Sequence, residues 1–186
     1  MKKKFGLFAL CIASLSTIAL TSCNKVSSEQ QIINTFNIAN KTVKTINQTT
    51  EIKSGSLLLV EEKTTIDTEK QIREVVTKTA NELTADEAYS TFTVTETGYS
   101  FERTEFKVKA EMFSSKELLN NTLVGVVEND YVLKVFNLDA SVISGSVTVE
   151  FKASTLDSGS FVLDSIEIDY VSNNGNDVSI LTEYSY

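Results

Sequence analysis

Three runs near the C-terminal end, Val142 to Lys152, Phe161 to Val171 and Val178 to Tyr186, alternate apolar and polar residues with a period of two. Successive side chains of a strand point to opposite faces, so this alternation predicts strands with one dry and one wet side. The joints are short, Asp157-Ser158-Gly159 and Asn174-Gly175. Asn-Gly between alternating runs is the strongest short-range hairpin signal, because a tight hairpin turn needs positive φ at its central residues. Strands joined so closely must be antiparallel, since a parallel pair needs a crossover of a dozen or more residues.

The same reading extends toward the N-terminus. Leu57 to Ile66 and Ile72 to Ala80 are rich in Val and Thr and flank the turn-like Asp67-Thr68-Glu69-Lys70. Ile72, Val75, Val76, Thr79, Ala80 and Leu83 also fit one face of a helix, while β-branched Val75-Val76 with Thr77 and Thr79 favour a strand. Thr91, Thr93, Thr95 and Thr97 alternate with Phe92, Val94 and Glu96, Gly98 supplies a turn, and Tyr99 to Lys109 is the next predicted strand. Thr122 to Val127 and Tyr131 to Leu138 are apolar on both faces, which predicts a hairpin at the centre of the sheet, covered on both sides.

Two helices complete the expectation. Ser28 and Gln31 match a capping box, and Ile32, Phe36, Ala39, Val43 and Ile46 then recur at spacings of four and three, a stripe of about five turns. A coiled-coil seam needs more heptads, so the stripe is expected to dock on the sheet. Ser114 and Glu117 suggest a second capping box, opening a short helix through Leu119. The predicted fold is mainly β (α+β): a single curved antiparallel meander of about nine strands, with an N-terminal helix and one short helix.

The first residues carry a separate signal. Lys2, Lys3 and Lys4 precede an uncharged, mostly apolar segment from Phe5 to Leu20, and Leu20-Thr21-Ser22 leads directly into Cys23. This arrangement resembles the signal peptide and lipobox of bacterial lipoproteins. The resemblance implies that a diacylglycerol is joined to the Cys23 sulfur and that residues 1–22 are removed. Residues 23–28 then form a lipidated tether and 29–186 a single globular domain. Two acyl chains anchor stably where one would only visit the membrane. An uncleaved span is the alternative, since Phe5 to Cys23 is close to the ~20 residues a bilayer requires, but Ser14, Ser16, Thr17, Thr21 and Ser22 weigh against it. Either way the leading lysines stay in the cytoplasm and the rest lies outside. The expected location is the outer face of the cytoplasmic membrane, or the periplasmic face where an outer membrane exists.

Composition then excludes chemistries. Cys11 lies in the leader and Cys23 would be acylated, so the mature chain would have no thiol for a disulfide or a metal. There is no histidine, hence no usual general base and no imidazole ligand for zinc or copper. Among only seven glycines there is no phosphate-cradling loop. Without the leader lysines, 14 basic side chains face 25 acidic ones, a balance that repels nucleic acid. The excess is concentrated in residues 111–186, with 3 basic against 12 acidic, which reads as a solvated acidic face.

An acylated, secreted chain with a helix and a curved meander is similar in outline to half-barrel envelope lipoproteins and lipoprotein carriers, a likeness of architecture without a diagnostic motif. It implies binding or transfer of a lipid or other hydrophobic ligand, with Phe92, Phe101, Phe106, Phe136 and Phe151 as candidate lining of a cavity. Each of these rings is equally an ordinary core residue. The alternative function is a structural or protein-interaction module of the envelope without a small ligand. An enzyme is not expected: Asp164 is predicted to point away from Glu167 and Asp169, and nothing predicts a cleft between carboxylates. No cofactor or metal is expected either. Asn173, Asn174, Asn176 and Asp177 lack the spacing of a calcium loop and fit hairpin-turn chemistry.

Overall fold

A computed structural model describes residues 28–80, 89–101 and 106–186. Leu20, Thr21, Ser22 and Cys23 lie outside the described residues.

Helix α1 (Glu29–Thr42) opens with the capping box, the Ser28 hydroxyl accepting from the Gln31 amide while the Gln31 side chain accepts from the Ser28 amide. The helix is a turn shorter than the apolar stripe. Val43 is already extended, and Ile46 belongs to β1 (Thr45–Ser54). A run of β-branched residues, Thr42, Val43, Thr45 and Ile46, lies at the break, and pairing on both sides of β1 outweighs continuation of the helix.

The remaining strands are β2 (Leu57–Asp67), β3 (Ile72–Ala80), β4 (Tyr89–Thr97), β5 (Ser114–Leu119), β6 (Thr122–Val127), β7 (Ile143–Thr155), β8 (Phe161–Ser172) and β9 (Asp177–Ser185). Ile72 to Ala80 is thus strand rather than helix. Among the described residues they form one open antiparallel sheet in the order β4-β3-β2-β1-β9-β8-β7-β6-β5. The sheet is therefore two meanders. One runs outward from β1 to β4, the other inward from β5 to β9, and they meet where the first strand pairs with the last, Thr45 opposite Ser185 through Lys53 opposite Asp177.

Three expectations are corrected. Tyr99 to Lys109 is irregular at its described residues, because the helix takes the hydrogen bonds a neighbouring strand would have made. Asn37 both donates to the Val108 carbonyl at 3.0 Å and accepts from its amide at 3.1 Å, and Gln30 accepts from the Ala110 amide at 3.1 Å. Ser114 to Leu119 is the edge strand β5, not a helix, since pairing with β6 prevails over a local cap. Tyr131 to Leu138 is not a strand but contains helix α2 (Asp130–Val135), capped by the Asn129 side chain on the amides of Tyr131 and Val132. It ends where Asn137 takes φ 59°. The central strand is accordingly β9, flanked by β1 and β8, while β6 is second from an edge.

One face of the sheet holds the core. Alternate residues of β6, β7 and β8, among them Leu123, Val149, Phe151, Leu163 and Ile166, are buried beneath Ile32, Ile33, Phe36 and Ala39 of α1 and Val132 and Leu133 of α2. Gly125 sits on that face because nothing larger fits: a Cβ there would lie 3.0 Å from the Phe113 Cβ and ring. Helix α1 stands over β6–β8, α2 joins the same core through Val132 and Leu133, and the inner face of β2–β4 extends beyond α1.

Candidate functional site

Where the helix-covered part of the sheet gives way to the uncovered part there is a cavity of about 790 Å³. It is lined from Arg73 on β3 across to Ile166 and Ile168 on β8, and roofed by Phe36, Tyr131, Lys134, Val135 and Phe136 of the helical layer. In a flat sheet β3 and β8 would be four strand spacings apart, about 19 Å. Their sharing one cavity with α2 means that the sheet curls toward the helices.

Strand register explains the composition of the floor. Ile66, Ile46 and Tyr184 lie side by side across β2, β1 and β9, an apolar row that packs with Val43. Two residues along, the next inward-facing row is Thr64, Gln48 and Thr182. The row beyond holds Glu62, Thr50 and Ile180, with Ile168 next to Ile180 on β8. Polar side chains thus cross this face in two adjacent rows, with Thr64 itself buried. No described residue bonds to the side chains of Gln48, Glu62 or Thr182, so their hydrogen-bonding capacity faces the cavity. Ile166 and Ile168 of β8, Ile180 of β9, and Phe36 and Phe136 above them form an apolar wall, while Lys134 and Asn137 bring polar groups to the roof. The site is therefore amphipathic.

Its rim is organised by aromatic and charged side chains. The rings of Phe106 and Tyr131 meet edge to face at 4.4 Å. The Arg73 guanidinium reaches Glu96 at 3.2 Å and lies 5.6 Å from the Tyr99 ring centre. At the lower end burial holds the Tyr184 phenol above its ordinary value, helped by the neighbouring Tyr186. Burial pushes Tyr186 up to about 12, against the bond its hydroxyl makes with the Leu163 carbonyl at 3.0 Å and with the help of Asp164. Both phenols stay neutral and are poor candidates for proton transfer at ordinary pH.

The five candidate rings separate into three environments. Phe101, Phe106 and Phe136 line the cavity. Phe151 is wholly buried one layer deeper, touching Phe36, Phe113 and Phe136 at ring distances of 5.5 to 6.1 Å. Phe92 is 56% exposed on β4, on the same face but away from the cavity. The polar row was missed from the sequence because Gln48 lies just past Ile46, the end of the stripe read as helix, in a stretch assigned to no strand. Its signal lay in the strands: Thr64 and Thr182 occupy inward positions of β2 and β9 that alternation assigns to apolar residues.

On the opposite face Glu150, Glu167 and Asp169 are neighbours across β7 and β8. Glu167 is raised by burial, then by Asp169 and Glu150 beside it. Asp164 is the extra residue of a bulge in β8, where it accepts from the Ser154 hydroxyl at 2.6 Å. The Asn173–Asp177 segment makes a hairpin turn, the Gly175 amide donating to the Ser172 carbonyl at 2.8 Å. Among the described residues no helix is long and apolar enough to cross a membrane.

Fold and site together define an open antiparallel sheet that shelters an amphipathic cavity under two helices. The chain matches no protein-family model and no curated protein sequence.

Proposed function

We propose that this is a lipid-anchored protein of the cell surface that binds an amphiphile, an acyl chain bearing a hydrogen-bonding head, in the cavity between sheet and helices. The observation that carries the reading is the pair Gln48 and Thr182, whose side chains bond to no described residue, beside an apolar wall, in a cavity whose volume falls within the ~300–1,000 Å³ of small-ligand sites. The acyl part would lie against Ile168, Ile180 and Phe136, and the head would reach Gln48 and Thr182. Lipidation at Cys23, read from the leader, would hold the domain where such ligands occur.

Native mass spectrometry of protein purified without detergent, compared with its denatured mass, tests the proposal. A non-covalent excess mass equal to a lipid, lost when Ile180→Glu places a carboxylate against the apolar wall, is the expected result. A bare protein mass, together with no binding of a fluorescent fatty acid, would overturn it.

A further inference from the structure

The two edges of the sheet are built differently. At one edge β5 has only six residues, its pairing with β6 shifts between Ser114 and Glu117, and Ser115 takes φ 49°. It also carries Lys116, which is tied to Glu29 at 2.9 Å. Short length, a bulge and charge are the devices by which sheets prevent another strand from pairing with them. The other edge, β4, is longer, has no bulge, and its single charge is paired within the sheet. It pairs with β3 in unbroken register from Ala80 opposite Tyr89 to Ile72 opposite Thr97, and no described strand lies on its outer side.

β4 has the composition of a pairing strand. Thr91, Thr93, Thr95 and Thr97 form one face, while the other carries Phe92 and Val94, 56% and 49% exposed. There is no proline or lysine, and its one charge, Glu96, is offset by Arg73. The chain as a whole carries a net charge of -8, yet this edge is locally neutral, so two copies could meet here without like charges opposed.

We infer that β4 is an interface for a second copy of this chain, joined antiparallel about a two-fold axis at Thr93. That register is self-complementary. It sets Phe92 opposite Val94 of the second copy and Val94 opposite its Phe92, an aromatic to β-branched pair, and it sets Thr91 opposite Thr95 on the other face. Both are favourable cross-strand pairs. A two-fold axis normal to the sheet keeps the cavity-bearing faces on the same side, so two anchored copies would present their cavities in parallel.

Disulfide trapping in intact cells tests this with the full chain. Thr93 would face its own copy at a separation a disulfide can bridge, whereas two Thr97 residues would be eight positions apart, about 27 Å. Oxidation should convert the Thr93→Cys chain to a homodimer at least tenfold more than the Thr97→Cys chain. The unsubstituted chain supplies the background from Cys11 and Cys23. Adding Val94→Lys to the Thr93→Cys chain should reduce trapping several-fold, and both positions are exposed enough to leave the fold intact. Equal trapping at 93 and 97, no trapping above background, or a Thr93→Cys adduct with a different protein would each overturn the inference.

Discussion

Phe151→Ala should be among the most destabilising single substitutions in the domain, and its size can be worked from the packing. The side chain is fully buried, and its ring meets Phe36 at 5.9 Å, Phe113 at 5.5 Å and Phe136 at 6.1 Å. Truncation of a buried phenylalanine loses its transfer free energy and leaves a cavity, together about 3–5 kcal/mol. Three ring contacts, each worth about 0.5–1.5 kcal/mol beyond area, place this site toward the upper end. For a domain of this size each kcal/mol moves Tm by about 2–4 °C, so the expected loss is about 6–20 °C. Phe92→Ala, at a side chain 56% exposed, should stay within about 0.5 kcal/mol, and Phe136→Ala should fall between. Urea unfolding followed by far-ultraviolet circular dichroism gives the comparison, with an unchanged slope showing that the unfolded state is the same. A loss below about 1.5 kcal/mol for Phe151→Ala, or an equal loss for Phe92→Ala, would refute the assignment of Phe151 to the core and Phe92 to the surface.

Two predictions concern pH. The buried phenols of Tyr184 and Tyr186 hold their protons more tightly in the folded chain than in the unfolded one, where tyrosine titrates near 10. Stability should therefore be intact below about pH 10 and fall as pH rises through the Tyr186 value of about 12. The urea midpoint of a Tyr184→Phe, Tyr186→Phe chain should fall less over that window, and an unchanged profile would acquit the phenols. Glu167 is also raised, by burial and then by Asp169 and Glu150, so its contribution is favourable only at acid pH and is lost as pH rises through its folded value. Glu167→Gln should raise Tm at pH 7, with the gain vanishing below the ordinary glutamate range near ~4.3, and no gain at pH 7 would count against this balance.

Local signals were legible where the structure that satisfies them is local. The Ser28–Gln31 capping box, the Asn174-Gly175 hairpin and the alternation of β7, β8 and β9 each complete their bonds within a few residues or with the adjacent strand. The failures share the opposite property. Val108 is lifted out of a strand ladder by Asn37, 71 residues earlier, and Ala110 by Gln30, 80 residues earlier. The apolar run after Asn129 satisfies a strand or a helix equally. Helix α2 forms because its Val132 and Leu133 fill the core above β6–β8 while Tyr131 stays out at the rim. Of the candidate lining, aromatic type pointed to Phe101, Phe106 and Phe136, but type alone could not separate them from Phe151, whose environment is set by three other rings.

The seam between β1 and β9 joins fold and site. Neither meander contains the cavity: β1–β3 supply Gln48, Thr64 and Arg73, whereas β8 and β9 supply Ile166, Ile168, Ile180 and Thr182. The polar row exists only when Gln48 stands between Thr64 and Thr182, and a slip of one residue at the seam would turn Gln48 to the wet face. What prevents that slip is the adjacent row, since the same shift would carry Ile46 out of its contact with Ile66, Tyr184 and Val43 into water. The apolar row that fixes the register therefore also fixes which polar groups the cavity presents. Because this pairing joins the first strand to the last, its loop-closure entropy is large and its contacts belong among the late-forming ones. A ligand that bridges Gln48 on one meander and Ile168 on the other would then stabilise the step that local sequence signals support least.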